Sequence, residues 1–326
     1  MKICVYGCGA IGGLLAVRLA HGGAEVSALA RGAHLAAMQA NGLTLLPAKG
    51  GDSLTVSIDA SDDPADLGQQ DVVFLTMKSC AVPDIADSIA PLLGRTTAVV
   101  TAYNGLPWWY FYGLDNDFGI PGLASVDPGR KLWQAIGPER AIGCVVYPAA
   151  TVESPGVVRH VFGDRFTLGE PDGAESARLV AIAAAMQLAG FATHVTGEIR
   201  TDIWTKLAAN AAFNPVSVIT GKTLSEMMDD AATYRLLQQV MEEVIRVAAA
   251  LDVDVPVIAG QLLAVVRQLG NHKTSMLQDF AAGRPLELGS VVDAVVELAS
   301  LRGVSVSNLH MVRELVYAKT KSAGGL

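Results

Sequence analysis

A glycine-rich loop near the N-terminus constrains the fold more than any other feature of this sequence. Residues 2–7 (KICVYG) form a short apolar run typical of a buried strand, and residues 10–21 carry apolar side chains at helical spacing. A G-x-G-x-x-G pattern lies between these two elements, where it indicates a dinucleotide-binding turn. The glycines allow a tight turn, close approach of the backbone to a pyrophosphate, and close packing of the helix on the strand. The predicted loop residues of the cofactor site are Gly7, Cys8, Gly9, Ala10, Ile11 and Gly12.

The end of the second predicted strand indicates which cofactor binds. Sites for NAD usually carry Asp or Glu about 20 residues beyond the glycine loop, where it binds the ribose 2′-hydroxyl. Here the strand at residues 24–30 is followed by Arg31, whose planar guanidinium suits a 2′-phosphate. Lys78, at the end of the apolar run 71–78, adds a second positive charge. We therefore predict NADPH as the cofactor, with ordinary solvated side chains as the alternative for both residues.

The order of the remaining elements predicts two domains. Strand and helix patterns alternate up to about residue 196, which is typical of a parallel sheet covered by helices. Within this part we predict a helix at residues 82–93 and a hairpin at residues 157–168. Beyond it, apolar residues recur only at helical spacing. The predicted fold is α/β, with an N-terminal Rossmann-type doubly wound sheet (residues 1–196) and a C-terminal all-helical domain (residues 197–326).

The first long helix of the second domain combines an apolar sequence with three polar side chains. Because residues 203–213 are apolar on nearly every side, we expect this helix to be buried. Lys206, Asn210 and Asn214 are spaced four apart and so follow one stripe. A partly desolvated lysine can protonate the alkoxide that develops when a ketone is reduced. The alternative is a lysine that reaches solvent beside two structural asparagines. Pro215 is predicted to end or kink the helix.

Composition narrows the classes of partner. The net charge of −8, without a Lys/Arg run, argues against nucleic acid and anionic membranes as partners. No apolar run reaches the roughly 18 residues of a transmembrane helix. We expect a cytoplasmic protein that acts on a small molecule, and a homodimer through the helical domain is compatible with this interpretation. No metal site is expected, because the cysteines match no zinc pattern and are interpreted as reduced thiols: Cys4, Cys8, Cys80 and Cys144.

Taken in order, these motifs resemble the ketopantoate (2-dehydropantoate) 2-reductase family over almost the whole chain. The most specific are the helix around Lys206 and the run of residues 275–279 (SMLQD) followed by Glu287. Asn104-Gly105, after the strand predicted at residues 97–103, also matches. The resemblance implies NADPH-dependent reduction of a 2-oxo acid in a cleft between a Rossmann domain and a helical domain. The default reaction is 2-dehydropantoate to pantoate, in pantothenate and coenzyme A biosynthesis.

The resemblance also implies a role for each candidate residue of the helical domain. Lys206 would be the general acid, and Glu287 would hold the substrate and the lysine in register. Asn210 and Asn214 would bind hydroxyl or carbonyl oxygens of the substrate, and Ser275 would bind its carboxylate.

For the cofactor, the resemblance implies that Arg31 and Lys78 hold the 2′-phosphate. Asn104 would lie between the nicotinamide ribose and the substrate, and so serve both.

One segment departs from the family pattern and leaves the substrate open. Residues 106–139 intervene after Asn104-Gly105 and carry five consecutive aromatics at positions 108–112. Our hypothesis is that part of this cluster walls the substrate pocket and makes it more apolar; the alternative is a structural plug or a dimer contact. Two other functions stay open: a related reductase acting on another 2-oxo acid or ketone, and a non-catalytic NADP(H)-binding sensor.

Overall fold

The computed structural model describes residues 1–114, 118–120, 122–267 and 270–322. The chain divides into two compact units, each built from three segments. The Rossmann unit contains Met1–Tyr103, Phe111–Asp115 and Arg130–Ile199. The helical unit contains Asn104–Tyr110, Asn116–Gly129 and Arg200–Leu326. The inserted segment, residues 106–139, therefore contributes to both units.

An eight-stranded sheet forms the centre of the Rossmann unit. Its strands lie in the order β12-β11-β8-β7-β6-β1-β2-β5, and every neighbouring pair is parallel except β11 with β8. The central strands are buried because they are continuous apolar runs, as parallel strands covered on both faces must be. The strands of this sheet are β1 (Lys2–Tyr6), β2 (Glu25–Leu29), β5 (Asp59–Ser61), β6 (Gln70–Leu75), β7 (Leu93–Thr101), β8 (Ala141–Val146), β11 (Arg165–Gly169) and β12 (Ala192–Val195).

A second sheet of four strands corrects the prediction of a hairpin at residues 157–168. Its order is β4-β3-β10-β9, and the antiparallel hairpin joins β9 to β10. Gly163, at a φ of +70°, turns the chain after β10, so the next strand joins the main sheet instead. The strands of this sheet are β3 (Leu43–Leu46), β4 (Leu54–Val56), β9 (Ala149–Ser154) and β10 (Val157–Phe162).

The helix predicted at residues 82–93 is wrong. The chain instead forms short 3₁₀ turns at Ser79–Ala81, Pro83–Asp87 and Ala90–Leu92. Pro83 and Pro91 each lie in the first turn of one of them. Proline is tolerated in the first turn of a helix, so Pro83 would not prevent one, but Pro91 has no N–H and clashes with the turn before it, so a single helix cannot run on to residue 93. The other helices of this unit are α1 (Ala10–His21), α2 (Gly32–Asn41), α3 (Lys131–Ile136) and α4 (Ala177–Leu188).

The helical unit contains no strand among its described residues, and the predicted combination of a Rossmann-type sheet with a helical region is confirmed. A π-helical turn at Gly289–Asp293 interrupts its regular helices and leads directly into the next one. None of the described helices combines the length and the low polarity that a membrane span requires. Its helices are α5 (Ile199–Thr220), α6 (Leu224–Asp229), α7 (Ala231–Ala249), α8 (Ala259–Arg267), α9 (Ser275–Ala281), α10 (Ala294–Arg302) and α11 (Ser307–Ser322).

Helix α5 passes through Pro215, so of the two predicted outcomes, an end or a kink, the end is excluded and the kink stays a prediction. The proline removes one backbone hydrogen bond, which costs about 3 kcal/mol inside an isolated helix. Residues on both sides of it, Phe213 and Val216 among them, are buried in the core of the unit. Tertiary packing therefore offsets the local cost, since burial stabilises a helix more than propensity does.

Candidate active site

The glycine loop of the Rossmann unit has the geometry that a dinucleotide turn requires. Gly7 has a φ of +94°, and a Cβ there would lie 2.8 Å from the backbone nitrogen of Met77. A Cβ on Gly12 would lie 2.5 Å from the carbonyl oxygen of Gly7, so both positions accept only glycine. Thr76 fixes the loop from the neighbouring strand end, because its hydroxyl donates to that same carbonyl at 2.9 Å.

Open space lies above Gly9, the residue that caps α1. A Cβ there would meet only the carbonyl oxygen of Gly7, at 4.0 Å. No side chain of the described residues caps the helix N-terminus, and its first turn carries no acidic residue. A free N-terminus with room for close approach fits a pyrophosphate, since backbone N–H groups and the helix dipole both favour an anion there.

The Cys8 side chain inside this loop adds no charge. Burial raises the pKa of its thiol to about 12, so the sulfur is neutral at physiological pH and behaves as a small apolar group. It therefore neither repels a phosphate nor acts as a nucleophile. In the part of the chain that the structure describes, no group of three or more His, Cys, Asp or Glu side chains is placed to hold a metal ion.

Arg31 lies at the end of the second strand, where the sequence predicted the 2′-phosphate contact. It is the N-cap of α2 and is exposed. Its side chain makes no hydrogen bond or ion pair with the other described residues, so no internal carboxylate competes for the guanidinium. Lys78 is half-buried and follows β6 on the same unit. Both side chains thus stand at strand ends, as the sequence indicated.

Three of the predicted residues of the helical unit form one hydrogen-bonded chain. The Lys206 ammonium donates to Oδ1 of Asn104 at 2.9 Å. The Nδ2 of Asn104 donates in turn to Oε2 of Glu287 at 3.2 Å. Glu287 is buried, whereas Lys206 and Asn104 are half-buried. Because a carboxylate accepts and an ammonium donates, the two ends fix which way the Asn104 amide points.

Asn210 and Asn214 follow Lys206 along α5, and their side chains have no hydrogen-bond partner among the described residues. Asn210 is half-buried, and Asn214 is only 7% exposed. Neither amide forms a hydrogen bond with another described residue. A buried amide normally has a partner, so these two groups are suited to receiving one from a ligand.

Ser275 is not brought into this chain of contacts. It is exposed and is the first residue of α9, and no hydrogen bond within the described residues joins it to Lys206, Asn104 or Glu287. The adjacent residue, Thr274, caps the helix and also bonds the hydroxyl of Ser217 at 2.6 Å. The N-terminus of α9 is thereby tied to the C-terminal part of α5.

The aromatic run of the inserted segment divides between the two units. Trp108, Trp109 and Tyr110 are buried in the helical unit, where Nε1 of Trp204 donates to the Tyr110 hydroxyl at 2.6 Å. Phe111 and Tyr112 are half-buried in the Rossmann unit. Positions 115–117 and 121 of the segment lie outside the described residues. The contacts of Tyr110 are structural, and the hypothesis of a substrate-facing wall stays a prediction.

Sequence reasoning missed the residues that hold Asn104 and the inserted segment in place. Ser290 donates from its hydroxyl to the carbonyl oxygen of Asn104 at 2.9 Å. Arg200 donates from Nε to the carbonyl oxygen of Tyr110, also at 2.9 Å. Neither residue stands out in sequence, because each partner lies far along the chain. The local sequence around the serine, LGSVVDAV at residues 288–295, offers no signal, because it also contains Asp293.

Comparison with known proteins agrees with this geometry. Residues 3–109 match the family model "Ketopantoate reductase PanE/ApbA", and residues 198–320 match "Ketopantoate reductase PanE/ApbA C terminal". A 2-dehydropantoate 2-reductase from Mesorhizobium japonicum is 44% identical over 97% of both chains. A crystal structure of a ketopantoate reductase-family protein from Ralstonia solanacearum MolK2 is 40% identical, with a TM-score of 0.93 over 99% of both chains.

A more distant structure shares the fold alone. D-mandelate dehydrogenase, solved with NADH and anilino(oxo)acetate, has a TM-score of 0.84 over the full length of both chains but is only 19% identical. The two family models match residues of both units, and the proteins from Mesorhizobium japonicum and Ralstonia solanacearum are 44% and 40% identical to the chain. The chain therefore belongs to the ketopantoate reductase family.

Proposed function

We propose that this protein reduces 2-dehydropantoate to pantoate with NADPH, and that Lys206 is the general acid. The observation that carries the proposal is the hydrogen-bonded chain from Lys206 through Asn104 to Glu287. Family membership supports the reaction, since the relative from Mesorhizobium japonicum is named for it. It also confirms that the chain is an oxidoreductase, as the sequence predicted.

Lys206 supplies the proton that the reaction consumes. When bound, NADPH supplies a hydride to the carbonyl carbon of the substrate, and the carbonyl oxygen becomes an alkoxide. The ammonium of Lys206 donates a proton to that oxygen, which leaves a hydroxyl product and a neutral amine that solvent reprotonates. Asn104 accepts one of the three ammonium hydrogens and so helps to orient the ammonium toward the substrate.

Glu287 acts through Asn104 in this proposal. Its carboxylate accepts from the Asn104 amide nitrogen, which keeps the amide oxygen turned toward the ammonium. The Asn104 amide thus links the ammonium and the carboxylate, because it accepts from the one and donates to the other.

The remaining polar groups hold the substrate. The side-chain amides of Asn210 and Asn214 have no partner within the part of the chain that the structure describes, and they can bind the hydroxyl and carbonyl oxygens of a 2-oxo acid. Ser275, at the N-terminus of α9, is assigned to the substrate carboxylate. On the Rossmann unit, the loop residues 7–12 would hold the pyrophosphate of NADPH, and Arg31 with Lys78 would hold its 2′-phosphate.

The experiment compares the unmodified protein with Lys206→Ala and with Lys321→Ala, an exposed lysine of the same unit. NADPH oxidation is followed with 2-dehydropantoate and with a panel of bulkier and smaller 2-oxo acids. We expect Lys206→Ala to lower kcat by about 10²–10⁴-fold, the range typical of general acid catalysis, while NADPH affinity stays the same. Lys321→Ala should behave like the unmodified protein.

Each competing function predicts a different result. Turnover of another 2-oxo acid with little turnover of 2-dehydropantoate would identify a related reductase. NADPH binding without turnover of any 2-oxo acid would identify a sensor. Near-normal kcat in Lys206→Ala would remove the lysine from the mechanism, whatever the substrate.

A further inference from the structure

Ser290 contacts the backbone around Asn104 in two ways. Its hydroxyl donates to the Asn104 carbonyl oxygen, and its own carbonyl oxygen accepts from the N–H of Leu106, both at 2.9 Å. Gly105 lies between the two bonds at a φ of +92°, and a Cβ there would lie 2.4 Å from the Ser290 hydroxyl oxygen. The contact is therefore close, and it holds three consecutive residues of the chain. Ser290 itself is buried.

The π-helical turn explains how a helical residue can make both bonds. In a regular α-helix the Ser290 carbonyl would accept from the N–H of Ala294, four residues later. Here the Ala294 N–H bonds the carbonyl of Gly289, five residues before it. The extra residue in the turn thus releases the Ser290 carbonyl from that bond, and Leu106 takes its place. Turns of this kind are frequent at functional sites.

Glu287 lies three residues before Ser290, at the start of the same helical stretch. One stretch therefore fixes Asn104 at two points: Ser290 holds its backbone carbonyl, and Glu287 holds its side-chain nitrogen. The Asn104 amide oxygen then accepts from the Lys206 ammonium. Displacement of the Asn104 backbone would move the acceptor of the Lys206 ammonium directly.

The other side of the π-helical turn is held by a later part of the inserted segment. The Glu297 carboxylate accepts from the backbone N–H groups of Ala124 and Ser125, at 2.8 and 3.0 Å, and from the Ser125 hydroxyl at 2.6 Å. A Cβ on Gly289 would lie 2.8 Å from the Ser125 carbonyl oxygen, so this approach is also close. Two stretches of the helical unit, residues 104–106 and 124–125, are thus fixed to the π-helical turn and to the helix α10 that follows it.

From these contacts we infer that Ser290 is a positioning residue for the reduction. Its hydroxyl sets the Asn104 backbone, and through it the acceptor that orients the Lys206 ammonium. The inference rests on the proposed role of Lys206. It also gives the inserted segment a function apart from any contact with substrate, because Ser125 and Glu297 brace the turn that carries Ser290.

The test uses Ser290→Ala, which removes the hydroxyl and keeps the backbone carbonyl. The matched control is Thr233→Val, which removes another buried hydroxyl of the helical unit, bonded to the Met227 carbonyl at 2.7 Å. We expect Ser290→Ala to lower kcat about 10-fold or more, since small displacements of a reacting group are costly, with KM for NADPH unchanged. The alkaline limb of its kcat profile should move to lower pH, because the ammonium loses a fixed acceptor. Thr233→Val should change neither.

A second measurement does not depend on turnover. Hydrogen exchange of residues 104–110, followed by mass spectrometry in the absence of substrate, should be faster in Ser290→Ala than in the unmodified protein and Thr233→Val. Faster exchange together with lower kcat supports the inference. Unchanged exchange, unchanged kcat, or equal losses of kcat in both variants would overturn it. Lys206→Ala is assayed in parallel: retained turnover there refutes the proposed acid, while the exchange result still decides whether Ser290 holds Asn104.

Discussion

Replacement of Glu243 by glutamine should destabilise the helical unit by about 2–4 kcal/mol. Glu243 lies on α7 and is only 4% exposed. Its carboxylate accepts from the backbone N–H of Asn308 at 3.1 Å, from the Asn308 side chain at 2.8 Å and from the Leu309 N–H at 2.8 Å. These donors surround the first turn of α11, so the charge also interacts favourably with the positive end of that helix.

The magnitude follows from what glutamine keeps and what it loses. Hydrogen bonds to a charged acceptor contribute about 1.5–3 kcal/mol each, against about 0.5–1.5 kcal/mol for neutral pairs. The glutamine oxygen can still accept from Asn308, at this lower strength. Its NH₂ group then faces the Leu309 N–H, so a buried donor loses its acceptor at a cost of about 1–3 kcal/mol. These contributions share one carboxylate and are not additive, so the expected total lies below their sum.

Urea unfolding followed by far-ultraviolet circular dichroism measures the change, with the slope m compared between variants. Glu242→Gln is the control, because that carboxylate is adjacent in sequence but exposed and bonds only the Gln238 side chain at 3.0 Å. We expect the control to lie within about 0.5 kcal/mol of the unmodified protein. The reasoning is refuted if Glu243→Gln also lies within that range, or if both variants lose the same stability.

Three further predictions test other parts of the molecule. Arg31→Ala should weaken NADPH binding by about 1.5 kcal/mol or more and leave NADH binding nearly unchanged, as measured by titration calorimetry; equal losses would show that Arg31 does not read the 2′-phosphate. Burial raises the pKa of Tyr110 to about 12 from an ordinary value of 10.0, so its hydroxyl contributes stability that is fully present below pH 10 and is lost as the pH rises through 12. Tyr110→Phe should therefore flatten the dependence of the unfolding free energy on pH in this range. It should also lower stability at neutral pH, because Trp204 loses its acceptor. Trp109→Ala should cost about 3–5 kcal/mol of stability, since the ring is fully buried near Arg200. It should leave unchanged the ratio of kcat/KM for 2-dehydropantoate to that for a bulkier 2-oxo acid. A changed ratio would instead support the hypothesis of a substrate-facing wall.

The cofactor loop was predictable because its pattern is local. The positive φ of Gly7 and the close approach of Gly12 to the Gly7 carbonyl arise within one strand–turn–helix unit, so the sequence pattern reveals both. Thr76 and Met77, which also border the loop, lie far along the chain and add a reason that the pattern does not show. Lys206, Asn210 and Asn214 follow one helix stripe, which a period of 3.6 residues reveals. The spacing did not predict which groups these side chains contact, because Asn104, which accepts from Lys206, lies 102 residues away along the chain.

The errors came from competition between local pattern and long-range packing. The prediction of a helix at residues 82–93 was wrong because it followed the apolar periodicity and gave too little weight to the prolines. At Pro215 the predicted end of the helix was wrong in the opposite direction, since packing around α5 overrides a residue that usually ends a helix. The π-helical turn at Gly289–Asp293 has no sequence signature of its own; it depends on contacts with Asn104 and Leu106, which only the folded chain brings near.

The division of each unit into three segments has a consequence for how the protein can be dissected. A fragment cut at the last boundary, from Arg200 onward, would keep Lys206 and Glu287 but not Asn104, Tyr110 or Ser125. Within such a fragment Lys206 would lose its acceptor Asn104. Glu297 would lose its three donors, which are the N–H of Ala124 and the N–H and hydroxyl of Ser125. Gene truncation at that point should therefore yield a misassembled polypeptide, whereas circular permutation, which retains every segment, preserves the parts that the fold requires.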